Sequence, residues 1–552
     1  SATGMASKAM SPGRLYCTHD WTPLQFGLLL CTLAVSICFL PLHQVSLGMT
    51  IPLYTSAVCL YRSLTPLGLG LISLVLYLPM WLVSWDLLGA AIGNIPLGAL
   101  VEFPMWLLVI PVPAMLDRWL YRKVTSLNPS GLVPYSYLTA LLYTVSWFVL
   151  QISNPYGATG NPSSMFMHDW SVAHLPMSLV GLYGASFLVM VPLSLLSLYI
   201  SMVYGVTEQE PSQPDYTSGG THPSSASSAS SLVETAPEVK ILRRTRVVRH
   251  LQLWILIWAV LTAVGAVLRA NFLRDVGIPL EPSESPTAMT IIGITDDYDA
   301  LGATERAMQH GPDLVMQVEY FESFYADVLE ESMAPYMDMA AEYGVWLLLC
   351  AGVHYDDNPL KTNDAWLIDD TGAIRLHYQK RHDSFGMEPI FQDPPALPSA
   401  VDTPFGRVCI SICIDSSFPG TLAACGRDKA DIILSPAMDM PGFLSFMSYE
   451  MAGRAPENGA VFVRLANTGR SLAVDPFGYQ IASYDSTRDP RPNQTVWLTI
   501  PTKAGHFTLY PYLAQWLEGA LLLSAVAGCV YTALTACTGT RSMKGYSRGL
   551  LT

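Results

Sequence analysis

Eight apolar runs set what this sequence can fold into: roughly Leu24–Leu40, Val45–Tyr61, Leu67–Trp85, Leu87–Leu116, Leu132–Leu150, Pro176–Tyr204, Leu251–Ala270 and Tyr512–Cys537. Most reach the ~20 residues that span a bilayer's hydrocarbon. The fourth holds Pro96, Pro104, Pro111 and Pro113, so it should kink or re-enter. Only 13% of the 552 residues are charged, against about a quarter in soluble domains, and mean hydropathy is +0.33. The expectation is a multi-span α-helical membrane domain of about eight helices. A net charge of -14 argues against a nucleic-acid partner.

Lysine and arginine placement orients the spans. Lys8 and Arg14 precede the first run, Arg62 follows the second, and Arg118, Arg122 and Lys123 follow the fourth. Arg243, Arg244, Arg246 and Arg249 precede the seventh, and Arg541, Lys544 and Arg548 follow the eighth. An eight-span count puts all of them on one side, which is the cytoplasmic side. The polar block Asp275 to Phe507 then faces the periplasm, the exterior or an organelle lumen. Glu208 to Lys240, rich in Ser, Pro, Thr and Gly, cannot bury enough apolar surface to order itself. The division is an N-terminal tail (1–22), six spans (23–205), a disordered serine-rich cytoplasmic loop (206–250) and a seventh span (251–275). An extramembrane domain (276–507), an eighth span (508–538) and a cytoplasmic tail (539–552) follow.

The extramembrane block alternates strand and helix patterns, which predicts one α/β domain around a buried sheet core. Strands are expected at Ala288–Thr295, Asp313–Glu319, Val345–His354, Ala430–Pro436 and Val461–Ala473, with a turn at Asp475-Pro-Phe-Gly478. Asp369-Asp-Thr-Gly372 reads as a hairpin turn between Asp364–Ile368 and Ile374–Gln379. Helices are expected at Asp299–Gln309, Tyr325–Tyr343, Thr421–Ala430 and Phe443–Met451.

Within it, Arg407-Val-Cys-Ile-Ser-Ile-Cys-Ile-Asp415 alternates with period two and reads as a buried strand. That strand would deliver the Cys413 thiol to the start of a helix, where the positive helix end favours thiolate. The ten cysteines form no CxxC and no Cys/His spacing, so neither a metal site nor a disulfide framework is indicated. Cys409 and Cys413 would lie about 13 Å apart on one strand face, too far to bridge. Glu319 ends the run Leu314-Val-Met-Gln-Val and Lys380 ends Arg375-Leu-His-Tyr-Gln. A strand-end charge is commonly a solvated tip, and a strand cysteine commonly inert core. The set of three has chemical logic: the carboxylate takes the thiol proton, and the ammonium stabilises thiolate and oxyanion.

Pro312-Asp-Leu-Val-Met-Gln-Val-Glu319, Tyr378-Gln-Lys-Arg-His-Asp-Ser-Phe-Gly386 and Ile412-Cys-Ile-Asp-Ser-Ser-Phe-Pro419 resemble the three motifs of the nitrilase, or carbon–nitrogen hydrolase, superfamily. The resemblance implies an αββα sandwich inserted before the last helix, with Glu319 as base, Lys380 as electrostatic stabiliser and Cys413 as nucleophile. Arg454-Ala-Pro-Glu-Asn-Gly459, Arg464-Leu-Ala-Asn-Thr-Gly469, Asp475-Pro-Phe-Gly478 and Gly181-Leu-Tyr-Gly-Ala-Ser-Phe187 are similar to the apolipoprotein N-acyltransferase family. Three positions depart from that pattern. Met387 stands for a glutamate, with Glu388 one place late; Asp415 stands for another glutamate, and Gln317 for a tryptophan.

The acyltransferase resemblance implies a ping-pong reaction without metal or cofactor. A membrane phospholipid donates an acyl chain to Cys413, and an amine, as on a lipoprotein N-terminus, accepts it. Glu388, Asp415, Glu457 and Asn467 are expected in supporting or substrate-binding positions. After the strand ending at Pro436, Met438, Phe443 and Phe446 are expected on an apolar interfacial lid, with packing of Phe443 and Phe446 into the domain as the equal alternative. Two other readings use the same residues differently: a membrane-tethered amidase or nitrilase, and an inactive transporter or scaffold. Intramembrane charges are few, chiefly Asp86 and Glu102, which disfavours transport.

Overall fold

Two stacked sheets, each covered by helices on its outer side, form the C-terminal half. In the computed structural model of the protein the described residues are 26–27, 29–31, 47–64, 67–68, 71, 115–121, 132–153, 174–203, 237–276, 288–295, 299–356, 358–382, 396–439, 448, 451–485 and 495–549. The first sheet contains β1 (Ala288–Ile294), β2 (Leu314–Gln317), β3 (Glu322–Tyr325), β4 (Trp346–Tyr355), β5 (Asn358–Ile368), β6 (Ile374–Gln379) and β13 (Thr495–Pro501). Its order is β13-β1-β2-β4-β5-β6, with β3 also beside β4. The second contains β7 (Ala400–Thr403), β8 (Gly406–Ile410), β9 (Ile432–Ala437), β10 (Val461–Ala466), β11 (Arg470–Val474) and β12 (Gln480–Asp485), ordered β12-β11-β10-β9-β8-β7.

The central strands run parallel, β1-β2-β4 in one sheet and β8-β9-β10 in the other. Parallel strands buried on both faces read as continuous apolar sequence. Met289, Ile291, Leu314 and Leu348 meet Val408, Ile432, Leu434 and Val463 between the sheets. On the outer faces, Ile292, Val315 and Leu347 pack against α5 (Ala300–Met308) and α6 (Leu329–Tyr343). Cys409, Ile433 and Phe462 pack against α7 (Pro419–Arg427) and α8 (Arg454–Asn458). This is the αββα sandwich expected from sequence. One expected strand, Val461–Ala473, is two: Asn467-Thr-Gly469 turns the chain between β10 and β11, with Gly469 at φ 90°. Among the residues of the expected helix Phe443–Met451, only Ser448 and Met451 are described, and both are helical.

The remaining described helices are α1 (Leu47–Ser63), α2 (Leu132–Ser153), α3 (His174–Val203), α4 (Pro237–Val276) and α9 (Tyr510–Gly549). Leu142, Leu182, Val189 and Leu198 share a core with Trp254. Among the described residues two helical segments are long and apolar enough to cross a membrane, Leu175–Val203, mostly buried, and Arg244–Arg274, mostly exposed. Eight membrane helices are not shown, and the first, third and fourth apolar runs lie almost wholly outside the described residues. Helix α4 begins at Pro237, so 237–250 is helix and not disordered loop. Proline is tolerated in a first turn, and Glu238, Lys240, Leu242 and Arg243 are good helix formers. Helix α9 likewise runs to Gly549, past the expected end of the last span. Arg62, counted above as a flanking charge, is buried and paired with Asp117 at 3.0 Å.

Candidate active site

Carboxyl ends of strands from both sheets converge on one edge, the usual place for a site in parallel α/β architecture. Glu319 lies two residues beyond β2, and Tyr320 then turns left-handed at φ 55°. The turn is possible because Gly352 opposite has no side chain: a Cβ there would come within 2.9 Å of the Tyr320 ring. Lys380 follows β6 directly, and its amide donates to the Asn363 carbonyl at 2.7 Å.

Strand β8 ends at Ile410 and does not run through Asp415. Cys413 instead opens a 3-10 turn, Cys413–Ser417, with φ 47°. A left-handed non-glycine residue costs roughly 1–2 kcal/mol and persists only where its surroundings fix it. Here a buried hydroxyl chain does so: Ser411 to Ser416 at 2.9 Å and Ser416 to Ser435 at 3.1 Å tie the turn to β9. A second tie lies outside it. Cys409 on β8 and Cys425 on α7 form a disulfide that brackets Cys413, correcting the expectation of no disulfide. Their 16-residue separation matches no motif and becomes a contact only when α7 folds back over β8.

Glu319 and Lys380 are both buried and make a 2.6 Å ion pair through Oε1 and Nζ. Asn363 Nδ2 donates to the same oxygen at 2.7 Å, and the Met438 amide donates to Oε2 at 2.7 Å. Cys413 completes the group. Burial pushes its thiol well above the ordinary cysteine value, and the Glu319 carboxylate pushes the same way, while Lys380 and Arg464 oppose them. Burial thus works against the thiolate that a helix start favours. Attack requires a base at the moment of reaction, and Glu319 is the carboxylate placed to act.

The supporting residues divide. Asp415 is fully buried and accepts from Tyr378 Oη at 2.7 Å, the Arg381 amide at 3.1 Å, and the His382 amide and Nδ1 at 2.8 Å each. It locks the segment after Lys380 onto the nucleophile turn and does not face substrate. Asn467 Oδ1 accepts from the Asp439 amide at 2.7 Å, fixing the segment after β9. Met438 is exposed beside its engaged amide. Glu457 takes a supporting place: it pairs with Arg454 at 2.7 Å and accepts from the Leu182 amide of α3 at 2.7 Å, joining α8 to α3. Gln317 bridges the Cys350 amide on β4 and Thr304 Oγ1 on α5, both at 3.0 Å, a structural task that ties the first sheet to its covering helix. Met387, Glu388, Phe443 and Phe446 lie outside the described residues.

Sequence reasoning missed Asn363, Asp439 and Arg464. Asn363 was legible as a polar residue inside a strand, and Arg464 as a lone charge within Val461-Phe-Val-Arg-Leu-Ala466. Both are buried, and Arg464 pairs with Asp439 through Nη2 and Oδ1. Burial raises the Asp439 carboxyl to about 6, with Arg464 opposing the rise.

Residues 298–489 match the family profile described as Carbon-nitrogen hydrolase. The chain is 30% identical over 182 residues to the nitrilase and fragile histidine triad fusion protein NitFhit of Caenorhabditis elegans, covering 28% of this chain and 40% of that protein. It is 29% identical over 164 residues to a deaminated glutathione amidase of Yersinia enterocolitica, covering 26% and 57%. The chain thus spans about half the length of the curated relatives it matches. Among solved structures it resembles an amidase from Nesterenkonia sp. at 18% identity and TM-score 0.35, covering 42% of this chain and 94% of that one. Across residues 298–489 the chain carries a carbon–nitrogen hydrolase domain of the nitrilase superfamily.

Proposed function

We propose that this protein is an amidase-type enzyme that breaks an acyl–nitrogen bond through a thioester on Cys413. The observation that carries this is the buried 2.6 Å Glu319–Lys380 pair beside a cysteine held at positive φ. The Cys413 proton passes to Glu319 as the sulfur bonds to the carbonyl carbon, and Lys380 stabilises the oxyanion. The carbon–nitrogen bond then breaks, with the proton returned from Glu319 to the leaving amine. Water, deprotonated by the same carboxylate, attacks the thioester; the thiolate leaves and regains its proton. The matched relatives named as deaminated glutathione amidase and formamidase support hydrolysis.

A second reading keeps the thioester and changes both partners: a phospholipid donates the acyl chain and an amine, as on a lipoprotein, accepts it. It is favoured by the apolar faces left exposed on α4 at Leu253, Ile255, Leu256 and Val267, and on α9 at Trp516, Leu523 and Tyr531. On either reading these helices sit in a membrane, and the Cys409–Cys425 disulfide favours a non-cytoplasmic, oxidising side for the catalytic domain. Intact-mass measurement after exposure to a short primary amide or to phospholipid vesicles tests both. A Cys413 adduct from the amide alone supports hydrolysis, and one from phospholipid supports transfer. Cys413→Ala should form neither, and an adduct surviving that change overturns the nucleophile assignment.

A further inference from the structure

Strand β9 ends at Ala437, whose register partner on β10 is Ala466, and the ladder between the two strands stops there. One residue carries it further. Asn467 donates its amide to the Ala437 carbonyl at 3.1 Å, and its Oδ1 accepts the Asp439 amide at 2.7 Å. The peptides on both sides of Met438 are thus held by the same asparagine. No peptide bond among the described residues is cis, and a trans peptide points its N–H opposite its C=O. Holding the Ala437 carbonyl toward Asn467 therefore aims the Met438 N–H the other way, and there Glu319 Oε2 accepts it at 2.7 Å. An asparagine beside a turn commonly bonds its own loop; this one reaches a segment 28 positions back. Arg464 pairs with the Asp439 carboxylate and so holds that side chain, but the direction of the peptides is left to Asn467.

We propose that Asn467 is a positioning residue for the base Glu319, acting through the Met438 amide. Lys380 and Asn363 both donate to Glu319 Oε1, which fills the two lone-pair directions of that oxygen. The thiol proton then goes to Oε2, where the Met438 amide takes one direction and leaves the other open. Two donors on one oxygen pin that oxygen and leave the second free to swing. The amide stops the swing, and so decides whether the open direction of Oε2 faces the proton it must take. Asn467 sets where that amide points, without itself touching the carboxylate or the thiol.

This role deepens the thioester reading and rests on Glu319 being the base for Cys413. Its measure is the rate at which iodoacetamide alkylates Cys413 in the full chain at pH 8, read by peptide mass spectrometry, which needs no substrate. In that reaction the sulfur bonds to carbon, iodide leaves, and Glu319 takes the thiol proton. Asn467→Leu keeps the size and the main-chain bond to Ala437 but removes the side-chain acceptor, so alkylation should slow about tenfold. In Glu319→Gln/Lys380→Met, which has no base to aim, the same change should alter the rate less than twofold. A merely loosened site would slow both backgrounds alike; that result, or an unchanged rate in the native background, overturns the proposal. Should Asn467→Leu fail to fold, Met438→Pro deletes the aimed N–H itself and is read in the same two backgrounds with the same expectations. If the native chain is alkylated no faster than Glu319→Gln/Lys380→Met, the base assignment falls and this role falls with it. The nucleophile assignment stands apart from both, on the Cys413 acyl adduct.

Discussion

Glutamine at position 319 is nearly the shape of glutamate but has one acceptor oxygen where the native side chain has two. Three donors converge on Glu319: Lys380 Nζ at 2.6 Å and Asn363 Nδ2 at 2.7 Å on Oε1, and the Met438 amide at 2.7 Å on Oε2. Either orientation of the glutamine amide turns its NH2 toward at least one of them. The change also leaves Lys380, 1% exposed, as a buried cation without its counter-charge. Breaking such a pair from one side costs about 3–5 kcal/mol. For a domain of this size that lowers the thermal midpoint by roughly 6–20 °C. Loss of the general base should separately cut turnover about 10²–10⁴-fold. Thermal unfolding of the full chain followed by tryptophan fluorescence, beside thioester formation by mass spectrometry, reads the two effects independently. Adding Lys380→Met removes the orphaned cation, so the double variant should regain stability while turnover stays lost. A Glu319→Gln midpoint within about 2 °C of wild type, or a double variant no more stable than the single, would refute this account of the pair.

Two further outcomes follow from the turn around the nucleophile. Replacing both Cys409 and Cys425 by alanine should cost about 3 kcal/mol, the loop-closure value for a bridge of this span, read as a lower thermal midpoint that reductant no longer shifts. Asp415→Asn leaves a side chain that cannot accept from four donors at once, so turnover should fall at least tenfold as the segment after Lys380 loosens, with the Cys413 alkylation rate nearly unchanged.

The proposed catalytic residues were legible because each follows an apolar strand whose end position can be read from periodicity. Glu319 follows Leu314–Gln317 and Lys380 follows Ile374–Gln379, and both strands lie where the pattern puts them. The alternation Ile410, Ile412, Ile414 was misleading in detail. A buried tight turn also hides alternate side chains, so period two continued past the end of β8 into the Cys413–Ser417 turn. The disulfide and the Asp439–Arg464 pair were illegible for a different reason. Their partners lie 16 and 25 positions apart and meet only after elements stack, and nothing local marks the pairing. Arg464 was visible as a charge in an apolar run, but only its 0% exposure and its pairing with Asp439 separate a buried guanidinium from a strand-tip one.

The helices and the catalytic domain are joined at points that carry no chemistry yet fix how the site sits. Helix α3 breaks at Gly181, φ 64°, where a Cβ would come within 2.1 Å of the Tyr510 ring at the start of α9. The amide of Leu182, next along the chain, is taken by Glu457 from α8. Near the end of α4, Arg269 pairs with Asp475 at 3.1 Å and lies 3.3 Å over the Tyr479 ring, while Phe272 packs on Phe477. Glu457 and Asp475 belong to two of the four motif stretches outside the Glu319–Lys380–Cys413 set, so those two stretches serve docking. The same α4 and α9 leave large apolar side chains in the open, each worth about 1.5–3 kcal/mol when buried. Summed over both helices, that exceeds the roughly 5–15 kcal/mol by which a domain is stable, so these faces need a cover.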